Sequence, residues 1–270
     1  KWQYSSFPLI ETIQTIFETT RGMNALLLAL GSFCVYAIAS NVAAQPFFTN
    51  ALRAADTSLF TRNVVGILFE LARFGFYVGV PFLALLFGWI HLRAMGLGFV
   101  DWAEGLRWAI VILLAAWLLL MVIWLPYLRA TSDVLTAPDA QRSIARRLVE
   151  MIYMQAHWAF YRAAMIVFLQ GAIRGDEGYW GAGLGLALVG LEAFTNPRIR
   201  QQLTRIGEAD TVVWNAGQAV LNTFAFIVTR NFYLLLLIHF LLEFSIPHLR
   251  ATSAPRAYPT PAPRAQNLRE

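Results

Sequence analysis

The chain has 270 residues, of which 58% are hydrophobic and 14% charged, with a mean hydropathy of +0.54. Soluble domains average about a quarter charged residues, so this composition excludes an ordinary soluble globular protein and points to an integral membrane protein. The net charge of +5 does not signal nucleic acid, because the arginines sit between apolar runs and form no basic domain, and the lone Cys34 excludes an internal disulfide and a thiolate metal cluster.

In chain order, residues 1–22 come first. Phe7, Ile10, Ile13 and Phe17 fall opposite Glu11, Gln14 and Glu18 at helical spacing, with Ser5 or Ser6 as the cap. This pattern predicts an amphipathic helix lying in the membrane interface. No cleavable signal peptide is expected, since the first long apolar run starts near Met23.

Crossing the hydrocarbon takes roughly 20 apolar residues as a helix. Seven such spans are expected within residues 23–249, at about 23–44, 64–90, 108–127, 146–170, 179–195, 212–228 and 232–248, with six or eight as the nearest alternatives. The fold class is therefore all-α, a polytopic transmembrane helical bundle. The second span carries Glu70 and Arg73, three apart and able to pair on one face, and Pro81, which should kink it. The tail, 250–270, is rich in Pro and Ala, has no apolar face, and on its own is expected to be disordered or extended.

Charge orients the bundle. Seven spans put Arg53, Arg62, Arg129, Arg142, Arg146, Arg147, Arg198, Arg200, Arg205, Arg250, Arg256, Arg264 and Arg269 on one side. Lys1, Arg21, Arg93, Arg107, Arg174 and Arg230 fall on the other. Under the positive-inside rule the first side is cytoplasmic. This predicts an inner (cytoplasmic) membrane protein with its N-terminus outside and its C-terminus inside.

Charged side chains at mid-membrane cost roughly 2.5–3.5 kcal/mol each on insertion scales, so those that occur must pair, line a wet cavity or bind something. In the fourth span Arg146, Glu150, His157 and Tyr161 fall on one helical stripe; the fifth ends at Glu192, before Asn196-Pro197; the seventh carries His239 and Glu243 one turn apart. Imidazole and carboxylate are ordinary zinc ligands. His157, Glu192, His239 and Glu243 are thus the candidate metal ligands, and Glu150 and His239 the candidate catalytic residues if the protein is an enzyme. The bland alternative is that each His hydrogen-bonds a neighbouring helix and each Glu neutralises an Arg, Arg146 with Glu150 for instance. His91 and His248 stand at span ends and are assigned no role.

The segment TRNFYLLLLIHFLLEF resembles the last motif of the CAAX-protease and bacteriocin-processing (Abi) family of intramembrane metalloproteases, on Asn231, His239 and Glu243. FYVGVPFLALLFGW is similar to an earlier helix of that family, and the likeness runs loosely over 64–248. The family's first motif, Glu-Glu-x-x-x-Arg, has its nearest match at Val149-Glu150 followed by Met154, and its second-motif His corresponds to Glu192. What the resemblance implies is a non-catalytic, Abi-like accessory or scaffold subunit of a larger inner-membrane complex, with other membrane subunits as partners. The alternatives are an active Abi-type metalloprotease using Zn²⁺, and a haem-, pigment- or quinone-associated subunit with His157 or His239 as axial ligand.

Overall fold

A computed structural model describes residues 8–47, 50, 59–127, 144–170, 172–173, 175–205 and 208–253, with side chains placed for these except 8–17, 59–62 and 246–253. The described residues are helical and contain no strand. In chain order the helices are α1 (Pro8–Ala43), α2 (Leu59–Phe74), α3 (Val80–Leu86), α4 (Leu92–Met95), α5 (Trp102–Leu119), α6 (Ile144–Leu169), α7 (Glu177–Thr195), α8 (Pro197–Leu203), α9 (Ala209–Thr229) and α10 (Phe232–Ser253). The chain is an all-α membrane protein. Four of its helical stretches, Glu18–Ala43, Asn63–Leu86, Trp102–Tyr127 and Ala209–Thr229, are long and apolar enough to cross a bilayer, and Phe232–Ser245 is a shorter apolar helix.

The expected boundary between 22 and 23 falls inside a continuous helix, since α1 runs unbroken through Arg21 and Gly22. The Pro- and Ala-rich tail, 250–270, lies mostly outside the described residues, which end at Ser253.

Two π-helical segments interrupt the spanning rods, Gly75–Gly79 between α2 and α3 and Leu120–Trp124 after α5. Each ends two residues before a proline, Pro81 and Pro126. A proline ring collides with the carbonyl four residues back and offers no N–H. A widened turn, with Val80 N–H bonded to Gly75 O and Leu125 N–H to Leu120 O, takes up that mismatch. So the expected kink at Pro81 is expressed as a π segment one turn earlier, which aims Phe76 and Tyr77 inward. Such segments are frequent at functional sites.

The core is organised around α6, whose residues Ala159 to Val167 are all buried. α7 lies antiparallel against it, and the approach is close because of two glycines: a Cβ on Gly181 would sit 2.5 Å from Ile166 Cγ1, and one on Gly185 would sit 2.6 Å from Arg162 Cα. Small residues at helix crossings are the usual way to gain packing in a membrane, where lipid is as apolar as leucine. α1 packs along another side of α6, with Gly22 against the Val167 and Phe168 backbone. α4, α10 and the first π segment complete the surround.

Candidate functional site

The centre of α6 carries a buried His–carboxylate hydrogen bond. His157 Nε2 lies 2.8 Å from Glu192 Oε2 of α7, and the two residues are 3% and 5% exposed. Aromatic rings wall the imidazole: Phe76 and Tyr77 from the π segment, with centroids at 5.0 and 5.1 Å, and Tyr161 at 4.3 Å. The Tyr161 hydroxyl lies beside Ser32 of α1 and beside Glu192. One turn further along α1, Tyr36 Oη accepts a 2.7 Å hydrogen bond from Asn196 Nδ2. Asn196 also caps α8, its Oδ1 accepting from Arg198 N–H at 3.0 Å, so the Asn-Pro stop after α7 does fix the chain there.

His157 Nδ1 in this nest is buried and has no hydrogen-bond partner, while Glu192 Oε1, Tyr161 Oη and Ser32 Oγ are buried beside one another. Buried polar atoms are normally satisfied, and an unsatisfied one costs about 1–3 kcal/mol. A His–carboxylate pair with two hydroxyls beside it is chemically suited to proton transfer.

The other predicted residues face elsewhere. Gln155 Nε2 donates to His239 Nδ1 at 2.9 Å, and the Trp158 ring stacks on the imidazole with centroids 5.7 Å apart and planes 1° from parallel. His239 is fully buried. Glu243, one turn on, points to α9, where Trp214 Nε1 donates to its Oε2 at 2.8 Å. Glu150 lies toward the start of α6 in a two-pronged pair with Arg73 of α2, Nη1 donating to Oε1 at 2.9 Å and Nη2 to Oε2. Arg146, expected as the partner of Glu150, stands only at 4.0 Å and is mostly exposed. Arg73 does meet Glu70, as its spacing indicates, at 3.4 Å. The Arg73 guanidinium also faces the Tyr153 ring at 5.4 Å.

Thus His157 and Glu192 come together, while His239, Glu243 and Glu150 each meet a different partner. A catalytic zinc takes three protein ligands; His157 and Glu192 supply two. Among the described residues no group of three or more His, Cys, Asp or Glu is placed to hold a metal ion. The four-residue zinc set expected from the sequence is therefore not assembled in this arrangement.

Sequence reasoning passed over Ser32, Tyr77, Gln155, Trp158 and Arg162. Arg162 carried a signal, a charge amid the apolar run AFYRAAMIV, but no acidic residue stands at helical spacing to suggest its role. Outside the spans, His91 caps α4, its Nδ1 accepting from Ala94 N–H at 2.9 Å.

No family model, no curated protein and no solved structure matches the chain.

Proposed function

We propose that the chain is a non-peptidase, Abi-like membrane protein that serves as an accessory or scaffold subunit of a larger inner-membrane assembly. The observation that carries this reading is the separation of the candidate residues into distinct interhelical contacts, His157 with Glu192, His239 with Gln155, and Glu243 with Trp214. Each fastens a different pair of helices. Peptide hydrolysis by a metal needs converging ligands and a carboxylate to take the proton of the metal-bound water.

The likeness supports the same reading, because Val149 and Met154 stand where the first motif has its other Glu and its Arg, and Glu192 stands where the second has its His. The four long apolar helices together with α6, α7 and α10 then make seven crossings, N-terminus outside and C-terminus cytoplasmic, preceded by an interfacial segment in residues 1–22.

The test is the double variant His239→Ala/Glu243→Ala. Scaffold use predicts that it lowers the thermal midpoint and the yield of the native assembly, with no turnover of prenylated or leader peptides by the wild type. A wild type that cleaves such a peptide, beside a double variant that folds normally and does not, would overturn it.

The buried His157–Glu192 pair, with His157 Nδ1 unmet, favours one second reading, an active intramembrane metalloprotease whose water is held beside that pair. Metal analysis of the purified protein separates the two. A stoichiometric metal that His157→Ala abolishes, in a protein that cleaves peptide, establishes the second.

A further inference from the structure

On α6, five residues beyond His157, Arg162 is 2% exposed and forms no ion pair among the described residues. Its Nε and Nη2 are buried and without a hydrogen-bond partner. These two nitrogens lie on the same edge of the guanidinium. They form the fork that binds the two oxygens of a carboxylate or phosphate in parallel. A guanidinium does not shed its proton to escape burial, so the charge stays in the interior with its fork open.

What surrounds the fork adds positive charge. The Arg162 guanidinium lies over the fully buried Phe226 ring of α9 at 3.8 Å from its centroid, and the Arg230 guanidinium approaches the same ring at 5.4 Å. Arg230 closes α9 in the left-handed conformation, φ 50°, and lays its guanidinium against Gly178, where α7 has no side chain to obstruct it. Glu177, beside Gly178, has a buried Oε2 that meets neither arginine. The ring attracts a cation, but it fills neither open N–H. Two cations around one ring, one of them sealed in with an unmet bidentate edge, meet no counter-anion among the described residues.

We propose that Arg162 and Arg230 form a binding site for one phosphate-type oxyanion, entered from the end of the bundle where Arg230 is exposed. Arg162 grips the anion through Nε and Nη2, and Arg230 adds charge at the entrance. The chemistry suits either the phosphate of an anionic lipid or free phosphate. The site does not depend on the accessory-subunit reading, since it uses none of the residues paired there.

The test uses the full chain purified in detergent, with phosphatidylglycerol and inorganic phosphate as separate probes, read by native mass spectrometry and by the rise in thermal midpoint each probe produces. The wild type binds one phosphate group per chain. Arg162→Lys keeps the charge but loses the fork, and weakens binding about tenfold; Arg230→Gln weakens it less. Retention of phosphatidylglycerol that inorganic phosphate does not displace assigns a lipid; stabilisation by inorganic phosphate that the lipid does not mimic assigns a free anion. A merely structural Arg162 would make Arg162→Lys less stable to the same degree with and without probe, and that result overturns the proposal. Failure of both probes to bind the wild type does the same. If Arg162→Lys does not fold, Arg230→Gln carries the test, and unchanged binding by it refutes the site.

Discussion

A single added methyl group on α7 should disconnect the buried His157–Glu192 pair. Gly181→Ala would place a Cβ 2.6 Å from both the Cα and the N of Ile166, where ordinary contact begins at 3.4 Å. The obstruction is helix backbone, so no side chain can swing aside, and α7 must retreat from α6 by at least about 0.8 Å. His157 and Glu192 span the same crossing at 2.8 Å. A shift of that size carries the pair to about 3.6 Å, outside hydrogen-bond range. Overpacking costs about 1–3 kcal/mol, and the newly unmet His and Glu atoms add about 1–3 kcal/mol. The helix preference of Ala over Gly returns about 1 kcal/mol. A net loss of about 3 kcal/mol corresponds to a fall of roughly 6–12 °C in thermal midpoint for a chain of this size.

The controls lie on the same helix. Cβ atoms on Gly183 and Gly190 would meet nothing within 4 Å, so Gly183→Ala and Gly190→Ala should stay within about 1 kcal/mol of the wild type. Tryptophan fluorescence during heating in detergent reads all four proteins. If Gly181→Ala melts with Gly183→Ala, the close α6–α7 crossing, and the buried pair that depends on it, is wrong.

Two further outcomes follow from the same architecture. Reporter fusions after Arg142 and after Arg256 should both read the cytoplasmic side, and an external signal from either would break the seven-crossing proposal. His91 lies between the apolar spans, and burial, then the Arg21 guanidinium, lowers its pKa below the ordinary 6.5. The unfolded chain therefore takes up that proton first, so the stabilisation is present above 6.5 and is lost as pH falls below it. Protonation also removes the Nδ1 acceptor that caps α4. The thermal midpoint should drop between about pH 7.5 and 5 in the wild type and less in His91→Asn, which keeps a capping side chain without the titration; equal slopes would refute it.

The sequence made the inward stripe of α6 legible, but not its partners. Glu150 and His157 do share a face, yet seven residues is about 10 Å along a helix. At that separation one meets Arg73 of α2 and the other Glu192 of α7. His239 and Glu243 are one turn apart, and the first reaches α6 while the second reaches α9. Spacing within a helix fixes direction around its own axis. Which helix stands in that direction depends on contacts far apart in the chain, and no local pattern encodes them. The π segments were half legible: Pro81 and Pro126 announce a backbone conflict, but not that a widened turn resolves it.

Between helices in lipid the hydrophobic effect offers no preference, so close glycine contacts and polar pairs must select one packing. α6 carries such pairs in succession: Glu150 to α2, Gln155 to α10, His157 to α7. Each ties two helices together, and breaking a buried charged one by removing a single partner costs about 3–5 kcal/mol. That is enough to explain why polar residues persist on a helix otherwise built for burial. The same helix also carries unmet atoms, at Gln155 Oε1, at His157 Nδ1 and along the open fork of Arg162. None of these adds to packing, because an unpartnered buried polar group weakens it. Polar groups retained at a net cost to stability mark where something outside this chain completes the structure. If Arg162 were only a packing residue, an apolar chain of similar length would serve better there. With Arg162 held for an anion, Arg162→Met should stabilise the protein when no phosphate or anionic lipid is present and forfeit the stabilisation that those probes give the wild type; a variant that responds to the probes as the wild type does would refute this.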